Sequence, residues 1–311
     1  MKNILVIKLG ALGDFIIALG SIMNLRKVYP DARFTLMTHR SLIQIAKQTG
    51  MFSDFIVDNR VSYFNLKEQV RLFREVIQGN FDGIIDFQCN KRTTKKYFPL
   101  IRWLAPSSFM WCDVVKRTCL NVSKKKSCSR GTLTLDSIAL PWEMTDLSFL
   151  HGENKHFGEL PERFVLMIPG CSPTHPYKRW PVENYKAIVQ HLSEKGVYSV
   201  VMGTKAEAAE VDAICAASPM AVSMLNKTSL LDIPDLVRRS IACVGNDTGP
   251  SHIAAYSGRP VIAIFDQRTA ASITRGPLSI NLVSPGTIDK VTVDMVWEKL
   301  QPIVDAAVPV Q

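Results

Sequence analysis

A chain of 311 residues is long enough to bury two cores of ordinary domain size. With 47% hydrophobic and 21% charged residues it has the composition of a soluble globular protein, which excludes disorder, collagen-like repeats and coiled coil. The net charge of +9 belongs wholly to the first half: residues 1–160 carry 23 Lys+Arg against 14 Asp+Glu, and residues 161–311 carry 14 against 14.

Lys2 followed by Ile4-Leu5-Val6-Ile7 imitates the start of a secretory signal, but Lys8 and Asp14 interrupt it. The strongest apolar stretch, Phe15 to Met23, is about half the roughly 18 residues of a membrane span. Ile4–Lys8 reads as a strand, Gly10 as a turn, and the apolar spacing from Asp14 toward Pro30 as a helix. Strand-like runs at 34–37, 55–57 and 84–87 then alternate with helical stretches at 40–48 and 65–78, the pattern of a parallel sheet with crossover helices. Segment 91–130 is weakly periodic and reads as loop-rich, with eleven basic residues against one acid, Asp113. A run this one-sided either contacts a polyanion or forms a solvated basic loop.

The polar stretch 143–161 marks the expected domain boundary, giving domains 1–155 and 156–311. Beyond it the alternation restarts: strand 164–168, helix 182–195, strand 199–202, helices 205–217 and 229–239, strand 241–244, helix 250–257, strand 261–265. Val293, Val296, Leu300, Ile303, Val304 and Ala307 trace a last amphipathic helix. The fold class is therefore α/β, with two Rossmann-like units. Seven cysteines, an odd number with no C-x-x-C, indicate neither a disulfide framework nor a zinc knuckle and point to the cytoplasm.

In such folds ligands bind at the carboxyl ends of the strands, and three glycine-bearing turns lie there. The first, Lys8-Leu9-Gly10-Ala11-Leu12-Gly13-Asp14, lacks the G-x-G-x-x-G dinucleotide spacing. Asp14 is either a helix cap or a general base facing an interdomain cleft. The second runs from Pro169 to Pro181, where small residues, the Thr174 hydroxyl and the charges of Lys178 and Arg179 suit a diphosphate, unless the stretch is only a proline-rich connector. The third, Gly245-Asn246-Asp247-Thr248-Gly249-Pro250-Ser251-His252, brings the Thr248 hydroxyl and His252 to a helix start, which suits a phosphate. His151 and His156 lie in the polar linker and read as solvated. With no H-E-x-x-H and no Asp-x-Asp, no metal site is expected.

Taken together, the Lys8–Asp14 motif, Lys178-Arg179-Trp180-Pro181, Gly203-x-x-x-Glu207 and Gly245–Ala255 resemble glycosyltransferase family 9, the ADP-heptose:lipopolysaccharide heptosyltransferases, over nearly the whole chain. The resemblance implies a GT-B fold, two Rossmann-like domains with the acceptor on the first and a nucleotide-sugar, ADP-heptose, on the second. It implies inverting transfer of a heptose or related sugar to a lipopolysaccharide-core acceptor resembling Kdo-lipid A, without metal or cofactor. By motif, Asp14 would take the proton from the acceptor hydroxyl, and Thr174 and Lys178 would hold the diphosphate. Glu207 would meet the ribose, Thr228 would lie near the base, and Asp247, Thr248, Gly249 and His252 would contact sugar and phosphates. Lys91, Arg92, Lys95, Lys124, Lys125 and Lys126 in the basic segment would meet an anionic lipopolysaccharide precursor at the inner face of the inner membrane. Where the family commonly continues Phe-Gly-Pro-Thr beside the sugar pocket, this chain reads Phe265-Asp266-Gln267-Arg268-Thr269.

Two other readings compete. A nicotinamide-dependent Rossmann oxidoreductase lacks its fingerprint here. A nucleic-acid-binding protein using 91–130 would stack bases on the few aromatics interleaved there, Tyr97, Phe98 and Trp103 among them, which supports that reading weakly.

Overall fold

Strands covered on both faces carry consecutive rather than alternating apolar residues, and the central strands here are of that kind. The computed structural model describes residues 2–62, 64–88, 90–97, 100–101, 110–113, 150–152, 157 and 160–307. The chain divides into two units, Met1–Thr145 and Asp146–Gln311.

The first unit runs β1 (Asn3–Ile7), α1 (Leu12–Val28), β2 (Arg33–Thr38), α2 (Ile43–Gln48), β3 (Asp54–Val57), α3 (Leu66–Gln78), β4 (Gly83–Asp86) and β5 (Met110–Asp113). Its sheet has the order β3-β2-β1-β4-β5, with every pair parallel. The apolar residues of α1 are buried almost all round, among them Phe15, Ile16, Leu19, Ile22 and Leu25, as befits a helix enclosed by its unit. In contrast α3 buries a single stripe, Gln69, Leu72 and Val76, and Asn65 caps it by accepting from the Glu68 N–H at 3.2 Å.

The second unit runs β6 (Phe164–Ile168), α4 (Val182–Glu194), β7 (Tyr198–Gly203), α5 (Ala208–Cys215), β8 (Ala221–Leu225), α6 (Ile233–Arg239), β9 (Ala242–Asn246), α7 (Gly249–Ala255), β10 (Val261–Phe265), β11 (Ser279–Val283) and α8 (Val293–Ala306). The order is β11-β10-β9-β6-β7-β8, again all parallel. Its core joins Val165, Met167, Val201, Val244 and Ile264 of the strands to Tyr185, Ile188 and Leu192 of α4 and to Val296, Leu300 and Val304 of α8. In each unit parallelism gathers the strands' carboxyl ends along one edge of the sheet, where the three glycine-bearing turns emerge.

Several expectations need correction. Segment 91–130 is not simply loop: Thr93–Tyr97 forms a wide helical turn, and β5 pairs with β4. The helix read over 205–217 is a 3-10 turn, Lys205–Glu207, followed by α5, and that near 229–239 begins only at Ile233. Strands β8 and β11 were not anticipated, and β10 is therefore not the last strand. Among the described residues no helix is long and apolar enough to cross a membrane.

Candidate active site

At the carboxyl edge of the second sheet the turn after β9 turns the Asp247 side chain inward, leaving it 3% exposed. Lys178 Nζ, from the turn after β6, stands 2.8 Å from Asp247 Oδ2, and His252 Nε2, one turn into α7, stands 3.5 Å from Oδ1. Burial alone would raise the Asp247 carboxyl. Hydrogen bonds from His252, Lys178 and Thr269, with the Lys178 charge, outweigh it and hold the group below the ordinary carboxylate value. Two of the three glycine-bearing turns thus deliver an ammonium and an imidazole to one buried carboxylate. His252 is itself buried, and its Nδ1 has no partner among the described residues.

What brings Lys178 to Asp247 is a contact between backbone and side chain that motif spacing does not reveal. Asn246, fully buried at the end of β9, accepts from the Trp180 backbone N–H at 3.1 Å and from the Tyr185 hydroxyl at 3.0 Å. Its amide donates to the Pro169 carbonyl at 2.5 Å. One amide therefore pins both ends of the 169–181 turn to the residue preceding Asp247. Trp180 is fixed again by its indole N–H, which donates to the Val291 carbonyl at 2.7 Å. Lys178 and Arg179, read together as charge for a diphosphate, part company. Arg179 turns onto Glu210 and Cys171, leaving Lys178 to face Asp247. Burial pushes the Cys171 thiol up, so this cysteine stays protonated near neutral pH.

The other sequence-predicted residues surround this cluster at the same edge. Thr174 is exposed, its hydroxyl 2.8 Å from both Ser172 Oγ and His175 Nδ1. Glu207 is buried and closes a capping box, with Oε2 accepting from the Thr204 N–H at 2.9 Å and from the Thr204 hydroxyl at 2.5 Å. A Cβ on Gly170 would come within 3.2 Å of the Glu207 side chain, so glycine lets the 169–181 turn pass beside it. Thr228 follows β8, half-buried; Thr248 is the N-cap of α7 and Gly249 its first residue. After β10, Asp266 caps a 3-10 turn and holds Arg268 by a two-pronged pair, Nε to Oδ1 at 2.7 Å and Nη2 to Oδ2 at 2.9 Å. The guanidinium lies 3.9 Å from the centre of the Tyr177 ring. Asn246, Thr269 and the Asp266–Arg268–Tyr177 group are additions to the sequence-based site; the departure from Phe-Gly-Pro-Thr was the signal for the last.

In the first unit Asp14 sits half-buried in the first turn of α1. It is not the helix cap, because Ala11 occupies that position and no side chain caps it. The preceding turn needs Gly10 for its φ of +124°, and Arg60 packs where a Cβ would stand while its Nη2 donates to the Leu9 carbonyl. Of the expected acceptor contacts, Lys91 and Lys95 are exposed. Arg92 is 11% exposed and forks onto the fully buried Asp58, with Nη2 to Oδ1 at 2.9 Å and Nε to Oδ2 at 3.0 Å. The Tyr97 hydroxyl donates to Asp58 Oδ2 at 2.5 Å, and burial first, then this bond and the Asp58 charge, push the phenol well up. Lys124, Lys125, Lys126 and His156 lie outside the described residues. His151 is 70% exposed, and among the described residues no group of three or more His, Cys, Asp or Glu could hold a metal ion.

Residues 114–288 match glycosyltransferase family 9 (heptosyltransferase). The chain is 32% identical over 113 residues to lipooligosaccharide heptosyltransferase 2 of Haemophilus influenzae, a match covering 35% of this chain and 32% of that protein's length. It is 21% identical over 281 residues to lipopolysaccharide heptosyltransferase 3 of Escherichia coli, covering 81% and 79% of the two chains. The solved structure of E. coli ADP-heptose lps heptosyltransferase II superposes with a TM-score of 0.73 at 19% identity over 98% of each chain, so the fold is α/β of the GT-B type.

Proposed function

The chain belongs to glycosyltransferase family 9, and from that membership we propose that it transfers a heptose from ADP-heptose to a lipopolysaccharide-core acceptor resembling Kdo-lipid A. The observation that carries the reading is the meeting of Lys178, Asp247 and His252 at the carboxyl edge of the second sheet. Lys178 and the Thr174 hydroxyl bind the diphosphate and stabilise the charge that develops on it as the sugar leaves. Asp247, Thr248, Gly249 and His252 contact the sugar and its adjoining phosphate, Glu207 meets the ribose and Thr228 lies near the base.

In the reaction the acceptor hydroxyl oxygen attacks the anomeric carbon from the face opposite the diphosphate. A new C–O bond forms as the bond to the leaving phosphate oxygen breaks, and the configuration inverts. Asp14 takes the hydroxyl proton, and ADP departs with the bonding electron pair. The transfer uses no resident cofactor or metal. Lys91, Arg92 and Lys95, with Lys124, Lys125 and Lys126, serve the acceptor's phosphates and carboxylates. Arg92 acts there by supporting its neighbours, since its fork is held by Asp58. The partners are a nucleotide-sugar and an anionic lipopolysaccharide precursor, not nucleic acid. The site of action is the cytoplasm, at the inner face of the inner membrane.

Calorimetry with ADP, UDP, GDP and NAD tests the donor half. ADP at about 100 times its dissociation constant should stabilise the protein by about 2.7 kcal/mol. Stabilisation by NAD and by none of the diphosphates overturns the proposal.

A further inference from the structure

The three most exposed large apolar side chains among the described residues stand together in the first unit: Phe64 at 94%, Leu66 at 72% and Val70 at 55%. Phe64 lies in the turn leading into α3. Leu66, Val70 and Arg74 follow one another at intervals of four on its outer face, with Lys67 beside Leu66, and both basic residues are exposed. The helix carboxylates do not answer these charges, because Glu68 and Glu75 both pair with Arg71 at 2.6 Å. Arg71 also donates to the Val57 carbonyl at 2.6 Å, fixing the helix to the end of β3. The buried stripe of Gln69, Leu72 and Val76 faces the opposite way, into the unit.

From this juxtaposition we infer that the Phe64–Arg74 face of α3 docks on an anionic lipid bilayer, Phe64, Leu66 and Val70 entering the headgroup region while Lys67 and Arg74 meet the lipid phosphates. Apolar side chains flanked by cations with no carboxylate partner among the described residues fit the interface of an anionic membrane, where each buried apolar group and each cation adds a modest increment. A neutral apolar partner would leave the two cations without counter-charge, and a soluble polyanion would leave Phe64 and Leu66 in water. The start of α3 also lies on the same sheet edge as the Gly10–Asp14 turn, two strands away, and Arg60 ties the intervening chain to Leu9. If the proposed acceptor is lipid-linked, docking here presents its head group to the first unit. That consequence rests on the proposed function; the docking itself does not.

The test is co-sedimentation of the full chain with phosphatidylcholine vesicles with and without about one-third phosphatidylglycerol. The wild type should bind the anionic vesicles and lose them as salt rises. Combined Phe64→Ser, Leu66→Ser and Val70→Ser should weaken that binding about 10- to 100-fold, and Lys67→Gln with Arg74→Gln by several-fold, with ADP affinity unchanged in both. Phe64→Trp, which keeps the face apolar, should be quenched by bromine-labelled lipid chains. Unimpaired sedimentation of the triple serine variant, a wild type that ignores anionic vesicles, or an unquenched Phe64→Trp overturns the inference. So does a wild-type dimer that the triple variant dissociates without any vesicle binding, which would assign the face to a second copy. Loss of ADP binding in the wild type with vesicle binding intact would instead overturn the proposed donor and leave the docking face standing.

Discussion

The two sheets end in opposite electrostatic habits. At the edge of the second unit cations are already paired: Lys178 with Asp247, Arg179 with Glu210, Arg268 with Asp266. At the edge of the first, Arg92 is paired inside with Asp58, but Lys91 and Lys95 stand exposed, and Asp14 sits half-buried in the first turn of α1 without serving as its cap. A site that must grip a small diphosphate in a fixed pose gains from side chains held beforehand, since less ordering remains to be done on binding. A surface that must meet a large anionic partner gains from charge left in water, where it steers encounter.

The contrast breaks most sharply at Asp14. Asp14→Asn should reduce turnover by about 10²–10⁴-fold while ADP affinity and melting temperature stay near wild type, because a positioned base is lost and no cap goes with it. Near-wild-type turnover would move the base elsewhere. Next come the paired cations. Lys178→Ala and His252→Ala should each weaken nucleoside diphosphate binding or slow its departure by about 2–4 kcal/mol. Lys178→Ala should also lower the melting temperature, since it leaves Asp247 buried with one partner fewer. Calorimetric affinity and thermal scans on the same samples separate the two effects.

Acidification probes the same pair more gently. Asp247 is held below its ordinary value, so the folded state binds its proton less readily than the unfolded chain does. The resulting stability is present above about pH 3.9 and is lost as pH falls below it. Between about pH 5 and pH 3 the wild-type melting temperature should therefore fall more steeply than that of Asp247→Asn. Equal slopes would show that the carboxylate is not stabilised by its partners. The smallest effect concerns the exposed charge. Neutralising Lys124, Lys125 and Lys126 together should raise the acceptor KM, each lysine contributing about 1 kcal/mol at most, with added salt reproducing the change and the donor KM unmoved. A shift in the donor KM alone would reverse the assignment of acceptor to the first unit.

Legibility in the sequence followed burial. The central strands β1, β6 and β10 are unbroken apolar runs buried at nearly every position, and their spans could be read to within a residue or so. The strands that escaped, β5, β8 and β11, all lie at sheet edges, and the latter two are mostly half-exposed, so Ala221–Leu225 and Ser279–Val283 carry mixed residues with no run to notice. In the site, what local chemistry dictates was visible: glycine turns at strand ends, a hydroxyl, a lysine and a histidine. What depends on contacts across the chain was not. The link from Asn246 to Trp180 spans 66 residues, and that from Arg92 to Asp58 spans 34, so the first looked like one letter of a motif and the second like free charge.

Trp180 carries a practical consequence of that wiring. Its indole is 2% exposed, packed edge-on against Tyr185 at 5.0 Å, and its backbone is bolted to Asn246 at the foot of the turn that bears Lys178. A ligand that pulls Lys178 from Asp247 should therefore change the surroundings of a chromophore two residues away. Intrinsic emission, followed in a stopped-flow instrument without any label, should register the arrival and departure of nucleotide in real time.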